Sequence, residues 1–307
     1  MHNTSHNLVV KFKGYKKWIF VIPIVIVLLV SLLLPELEPI YAKINIPEAS
    51  GTETYENNNA IIDASNVSRG YVMIKYTGSN PRIKIRITKN TTYTYDLNAR
   101  NKYETFPLTE GNGTYNIKVF ENVTGNSYAQ IMSQDISVRL KNSLEPFLYP
   151  NQFCNYTANS KAVKKAASLT KKKKKELDKV ETVYEYVLKN ISYDYKKAKT
   201  VQSGYLPNPD KTLSSKKGIC FDYAALMTSM LRSQGIPTKL VIGYAGNIYH
   251  AWVSVHIKGK GWIDNIIYFD GKNWRYLDPT FASTGKNSSS TKKYISNSKN
   301  YSAKFVY

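Results

Sequence analysis

The sequence predicts an α+β fold: a small all-β sandwich, then a domain of mixed helices and strands, with an apolar segment ahead of both. Three observations predict it. Apolar residues alternate with period two in short stretches between Gly70 and Lys141. After Ser160 the period becomes helical, and after Pro237 it returns to that of strands. An uncharged apolar run, Trp18 to Leu34, follows Lys11, Lys13, Lys16 and Lys17. The 307 residues allow one or two domains. A 42% hydrophobic fraction, with 25 Tyr and four Trp, supplies real cores and excludes a disordered chain.

Residues 1–42 read as a targeting segment, either a cleaved signal peptide or a transmembrane anchor. The 17-residue run is at the short end of a membrane span and longer than the usual signal core. Lysines before it and Glu36 and Glu38 after it orient the remainder outside the cytoplasm. The expected location is extracytoplasmic, membrane-anchored through this segment or secreted and cell-wall associated. Two cysteines cannot build a disulfide framework, and no CxxC spacing could hold zinc. An exported chain without disulfides fits a bacterial surface. The net charge of +21 reads either as solubility or as attraction to anionic cell-wall polymer or lipid headgroups. Zinc-finger spacing and RNP-type aromatics are missing, which argues against a nucleic-acid partner.

Residues 43–69, polar and Asn-rich ("SGTETYENNNA"), read as a tether. "YVMIKY", "RIKIRIT", "TYTYDL", "TYNIKVF" and "DISVRL" alternate as half-buried strands, separated by "TGSNP", "TKNTT", "EGNGT" and "VTGNS" turns. Over 70–141 this predicts an immunoglobulin-like antiparallel sandwich. No catalytic cluster falls in it, so it reads as a spacer or ligand-binder. Residues 142–160, with Pro146 and Pro150, form the linker, and its Cys154 reads as an inert packing thiol.

The domain at 161–282 opens on a helical stripe of Leu177, Val180, Tyr184, Val187, Leu188 and Ile191. Lys171–Lys175 precede it as a solvated run or a polyanion-docking patch, opposing the dipole of the helix they start. A second helix runs from about Cys220 to Gln234, closed by Gly235, Ile236 and Pro237. Cys220 in its first turn is either a space-filling thiol or a nucleophile whose pKa the helix N-terminus depresses. "TKLVIGYAG" and "YHAWVSVHI" follow as strands. On the second, Ala251, Val253, Val255 and Ile257 form the core face, which leaves His250 on the other. Asp270-Gly271 signals a hairpin, and "NWRYLD" ends at Asp278 before Pro279, where antiparallel pairing could set it beside His250. The order Cys220, His250, Asp278 then supplies a nucleophile, a proton shuttle and an orienting carboxylate. His256 lies about 20 Å further along the strand, too far to replace His250.

Taken together, "KKGICFDYAALMTSMLRSQGIPTKLVIGYAG…YHAWVSVHI…WRYLDPTF" resembles the transglutaminase-like superfamily of papain-fold cysteine enzymes. Gly-x-Cys opens the helix and Gly-Ile-Pro closes it, and then Gly-Tyr, His-Ala-Trp and Asp-Pro-Thr follow in order. "NISYDY" (190–195) is similar to the pre-catalytic helix end of the family. The resemblance covers roughly 176–282. It implies a papain-like core with Cys220 as nucleophile, His250 as general base and acid, and Asp278 as orienting carboxylate. "IKGKGWIDNIIYFDGKN" is longer than the family pattern and reads as a substrate-facing hairpin. The backbone N–H of Cys220 would be one oxyanion donor.

The implied reaction forms a thioester from a carboxamide or peptide bond of a protein or cell-wall peptide, passed to an amine or to water. Tyr244, Tyr249, Trp252 and Trp262 are candidate substrate-groove walls. HExxH, Walker and GxGxxG motifs are absent, so no metal or organic cofactor is implied. The alternative is a surface binding or scaffold protein that keeps the fold without turnover. Residues 283–307 read as a polar tail, whose final "AKFVY" could add an edge strand.

Overall fold

The computed structural model describes residues 44–307 except 58, 246, 265–267, 270–273 and 276–300. The apolar leader therefore lies outside the described residues, as does most of the tail. Among the described residues no helix is long and apolar enough to cross a membrane.

Eight strands make two four-stranded antiparallel sheets. One holds β1 (Thr54–Glu56), β2 (Ala60–Asp63), β3 (Tyr71–Tyr76) and β6 (Glu104–Pro107), in that order. The other is ordered β5 (Thr92–Asp96), β4 (Ile83–Thr88), β7 (Gly113–Thr124) and β8 (Ser127–Val138). Strand β4 shows why they form: Ile83, Ile85 and Ile87 are buried while Lys84, Arg86 and Thr88 alternate outward. Buried residues of both sheets belong to one hydrophobic core.

The expected tether at 43–69 is corrected here, because it contains β1 and β2. Ala60 and Ile62 are fully buried and pair with β3, and the Asn57 side chain accepts the Asn59 and Ala60 N–H groups to make the turn. The segment looks polar because β1 is an edge strand with only Tyr55 partly covered.

The second half builds α1 (Lys161–Thr170), α2 (Glu176–Asn190), α3 (Tyr195–Thr200), α4 (Pro209–Ser215) and α5 (Cys220–Arg232) against a sheet. That sheet is ordered β13 (Gly261–Ile263), β12 (Ile248–Ile257), β11 (Thr238–Ala245) and β16 (Tyr301–Val306). Helix α5 is its centre: every residue from Asp222 to Arg232 is buried, under β11 and β12 and beside α1, α2 and α4. The lysine run is placed differently from the expectation. Lys171–Lys175 are exposed between α1 and α2, with Lys171 capping the C-terminus of α1, where the dipole favours a cation. The first turn of α2 carries Glu176 and Asp178. Beyond the main sheet, β14 (Tyr268–Phe269) pairs antiparallel with β15 (Trp274–Arg275), while the Asp270-Gly271 signal lies outside the described residues.

At the chain end the polar-tail reading is corrected over Tyr301–Val306, which form the edge strand that "AKFVY" allowed. Residues 301–306 pair with β11 along the sheet edge, and Tyr307 is buried. At the bulge beside Gly243, a Cβ would stand 2.0 Å from the Ser302 carbonyl oxygen, so only glycine lets β16 approach. Thr109 Oγ1 donates to Val306 O at 2.8 Å, and the Tyr307 ring packs edge-on to Tyr93 and Tyr95. Strand β16 thus joins the two-sheet first half to the second half. The buried Arg232 reinforces the joint, donating to the carbonyls of Tyr149, Thr238 and Tyr307 and to Cys154 Sγ. Cys154 is fully buried there, and burial pushes its thiol pKa up.

Candidate active site

The first turn of α5 is held by its own sequence. Strand β9 (Ser192–Tyr193) pairs in parallel with β10 (Lys217–Gly218), which sets Tyr193 opposite Gly218 and two residues from Cys220. At Gly218 a Cβ would come within 2.6 Å of the Asp222 Cβ, so glycine lets the turn close. Asp222, at the third helical position, accepts the Ile219 N–H at 2.9 Å and satisfies a donor that the helix leaves open. The helix ends at Gly235, with φ +76° and the Ile236 N–H donating to Leu231 O at 3.2 Å. Pro237 follows, as the sequence requires.

Asp222 has a second task. It is 1% exposed, accepts Lys197 Nζ at 2.6 Å, and accepts the Tyr205 hydroxyl as well. Lys197 Nζ also donates to the Tyr205 hydroxyl oxygen at 2.5 Å. These bonds fasten the segment 195–205 onto the first turn of α5. The Asp194 side chain caps α3 by accepting the Lys197 N–H, and Tyr223 of α5 donates to Ile191 O at 2.6 Å. The strand carrying Tyr193 is therefore held at both ends.

Cys220 and His250 line one cavity of about 440 Å³. Its other walls are Tyr193, Tyr205 and Phe221 on one side and Tyr249 and Ala251 on the other, with Ala198 to Gly204 along the rim. The Ala251 N–H, next to His250, hydrogen-bonds to the Cys220 thiol. The Cys220 N–H hydrogen-bonds to the Tyr193 hydroxyl.

The expected depression of the Cys220 pKa is overturned. Burial pushes the thiol up, and this outweighs the lowering by the Ala251 and Phe221 N–H groups. Burial also pushes His250, only 5% exposed, down to about 4. At rest the pair is a neutral thiol beside a neutral imidazole. This has a stability consequence. The folded His250 pKa lies below the ordinary 6.5, so the unfolded chain takes up the proton first. Stability is full above about pH 6.5 and falls by up to about 1.4 kcal/mol per pH unit as pH drops toward 4. Urea unfolding at several pH values is expected to show this slope in the wild type and a flatter one in His250→Gln. Equal slopes would remove His250 as the cause.

The structure brings together Cys220, His250 and Tyr249, while Asp278 lies outside the described residues. Tyr244, 41% exposed, packs against Tyr249 with ring centroids 5.4 Å apart, next to the cavity but not lining it. Two groove candidates are corrected. Trp252 is 3% exposed and packs against the Tyr301 ring from β16, two strands away in the same sheet. Trp262 on β13 packs against Phe147, and Lys239 Nζ stands 3.9 Å from its ring centroid, so it braces the linker. Sequence reasoning missed Tyr193, Tyr205, Lys197 and Asp222. Asp222 carried a readable signal, an acid in a first helical turn. Among the described residues no group of three or more His, Cys, Asp or Glu could hold a metal ion.

Residues 163–265 match the model of the transglutaminase-like superfamily. The UPF0252 protein of Methanocaldococcus jannaschii is 34% identical over 111 residues, 32% of this chain and 32% of that protein. The match thus spans about a third of that relative's length. Among solved structures, a candidate cysteine protease from Cytophaga hutchinsonii aligns over 69% of this chain and 67% of its own, at 18% identity and TM-score 0.35. Red sea bream transglutaminase aligns over 68% and 48%, at 15% identity and TM-score 0.25. Cys220 and His250 both fall within residues 163–265, the part of the chain that is similar to the transglutaminase-like core.

Proposed function

We propose that the protein is an extracytoplasmic cysteine acyltransferase or hydrolase acting on protein or peptide amides through a thioester on Cys220. The observation that carries this is the joint placement of Cys220 and His250 in one cavity, with the Ala251 N–H on the thiol. The thiol is neutral at rest, so its proton passes to His250 as sulfur attacks the carbonyl carbon. A C–S bond forms and the carbonyl π pair moves to oxygen. Collapse breaks the C–N bond, and the leaving amine takes the proton from His250. An amine or water then attacks the thioester, with His250 again accepting the proton; the C–S bond breaks, and His250 returns that proton to the Cys220 sulfur as the product leaves. In the tetrahedral species the oxyanion would displace the Tyr193 hydroxyl as acceptor of the Cys220 N–H, and the phenol would become the second donor. Asp278, on the family resemblance, would orient His250 from the far side. The apolar leader would supply export, and the exposed lysines attraction to an anionic surface.

The test uses the full chain with p-nitrophenyl acetate. The expected result is a burst of p-nitrophenolate with acetyl on Cys220 and none on Cys154, read by mass after digestion. In His250→Ala the burst should slow by about 10²-fold or more, the usual worth of a positioned base. Acetylation of Cys220 no faster than that of a plain thiol, or indifferent to His250, would leave the fold as a binding scaffold. The raised thiol pKa and lowered imidazole pKa are what such a retired pair would also show.

A further inference from the structure

The walls of the Cys220 cavity and the surface around it differ sharply in charge. Among the described lining residues none carries a charged side chain apart from His250, and burial pushes the His250 pKa down to about 4. The lining is instead aromatic, from Tyr193, Tyr205, Phe221 and Tyr249. Outside it, residues 161–217 carry 16 lysines against six Asp and Glu. Two of the lysines adjoin lining residues in the chain: Lys199 directly follows Ala198, and Lys217 stands two residues before Ile219; both lysines are exposed. The nearby acids face inward or cap helices: Asp222 is bound by Lys197 and Tyr205, and Asp194 caps α3.

This arrangement sorts substrates by two physical rules. A carboxylate or ammonium entering the cavity would shed its water against the uncharged described walls, which disfavours its entry. An aromatic or aliphatic side chain loses nothing there and buries apolar area. Around the mouth the rule reverses, because uncompensated lysines attract anionic segments and repel cationic ones. We propose that the acyl group taken by this site belongs to an uncharged, apolar residue of a peptide whose flanking residues are acidic. The proposal rests on the acyl-transfer reading above.

Three capped peptidyl chloromethyl ketones test it on the full chain: Glu-Glu-Phe, Lys-Lys-Phe and Glu-Glu-Asp. In each, the Cys220 sulfur displaces chloride to form a stable C–S bond, read by mass. The Glu-Glu-Phe probe is expected to label Cys220 about tenfold faster than Lys-Lys-Phe at low ionic strength. The gap should close in about 0.5 M salt, which screens exposed charges beyond ~4 Å. It should narrow or invert in Lys199→Glu combined with Lys217→Glu, neither of which touches the thiol or imidazole. Glu-Glu-Asp should be slowest in both proteins. Equal rates for the Glu- and Lys-flanked probes, or a fast Asp probe, would overturn the proposal. So would absent labelling by Glu-Glu-Phe in protein that p-nitrophenyl acetate does acetylate. A protein that neither reagent modifies would instead sink the acyl-transfer reading, and the proposal with it.

Discussion

Asp222→Ala is expected to lower stability by about 3 kcal/mol and to slow acylation of Cys220 further than the unfolded fraction explains. The carboxylate is 1% exposed and serves three donors, the Ile219 N–H, Lys197 Nζ and the Tyr205 hydroxyl. Breaking a buried ion pair by removing one partner typically costs about 3–5 kcal/mol. The lower end applies here, because the Lys197 side chain remains 30% exposed and can recover water. Asp222→Asn keeps an acceptor for the Ile219 N–H and loses only the ion pair, so about 1–2 kcal/mol is expected. The effect on acylation has a separate origin. Lys197 and Tyr205 fasten the segment whose residues Ala198 to Gly204 form the cavity rim, and without Asp222 that rim is untethered. Urea midpoints and hydrogen exchange of residues 195–205 measure the two parts. Unchanged protection in that segment, with an unchanged midpoint, would show that the clasp holds nothing.

The parts of the site that were legible in the sequence are those whose signals are local. Cys220 begins a helix whose end Gly235 and Pro237 mark, and His250 sits on a strand of unbroken alternation, so both positions follow from periods and caps. Other parts depend on what packs from elsewhere in the chain. Trp252 shares a strand face with His250 and was read as a groove wall, but it is buried and the Tyr301 ring from β16 packs on it. The final "AKFVY" allowed an edge strand, but its partner lies some 60 residues earlier, so no local pattern says which strand it pairs with. Strand β1 was hidden because an edge strand buries too little to show alternation, and β2 because its four residues are nearly all buried and show no alternation either. The direction of the Cys220 shift was missed because a helix N-terminus is visible in sequence and desolvation is not. Lys197 and Tyr205 meet Asp222 from 25 and 17 residues away, and nothing in their spacing marks them as partners.

Tyr193→Phe is expected to slow acylation of Cys220 by about 10²–10³-fold, the usual loss when one oxyanion donor is removed, while leaving stability nearly unchanged. The ring is half-buried and phenylalanine fills the same space against Tyr195, 5.0 Å away between centroids. What disappears is the hydroxyl that meets the Cys220 N–H. Burial pushes its pKa up to about 12, so it stays protonated through the neutral range and can donate a hydrogen bond to an oxyanion without becoming an anion itself. Two reagents separate this role from a general effect on the thiol. Attack on p-nitrophenyl acetate passes through a tetrahedral oxyanion, whereas alkylation by iodoacetamide does not. The variant should therefore lose the first reaction and keep the second at the wild-type rate. A parallel loss of both would place Tyr193 among the groups that set thiol reactivity, and the second oxyanion donor would have to come from another part of the cavity wall.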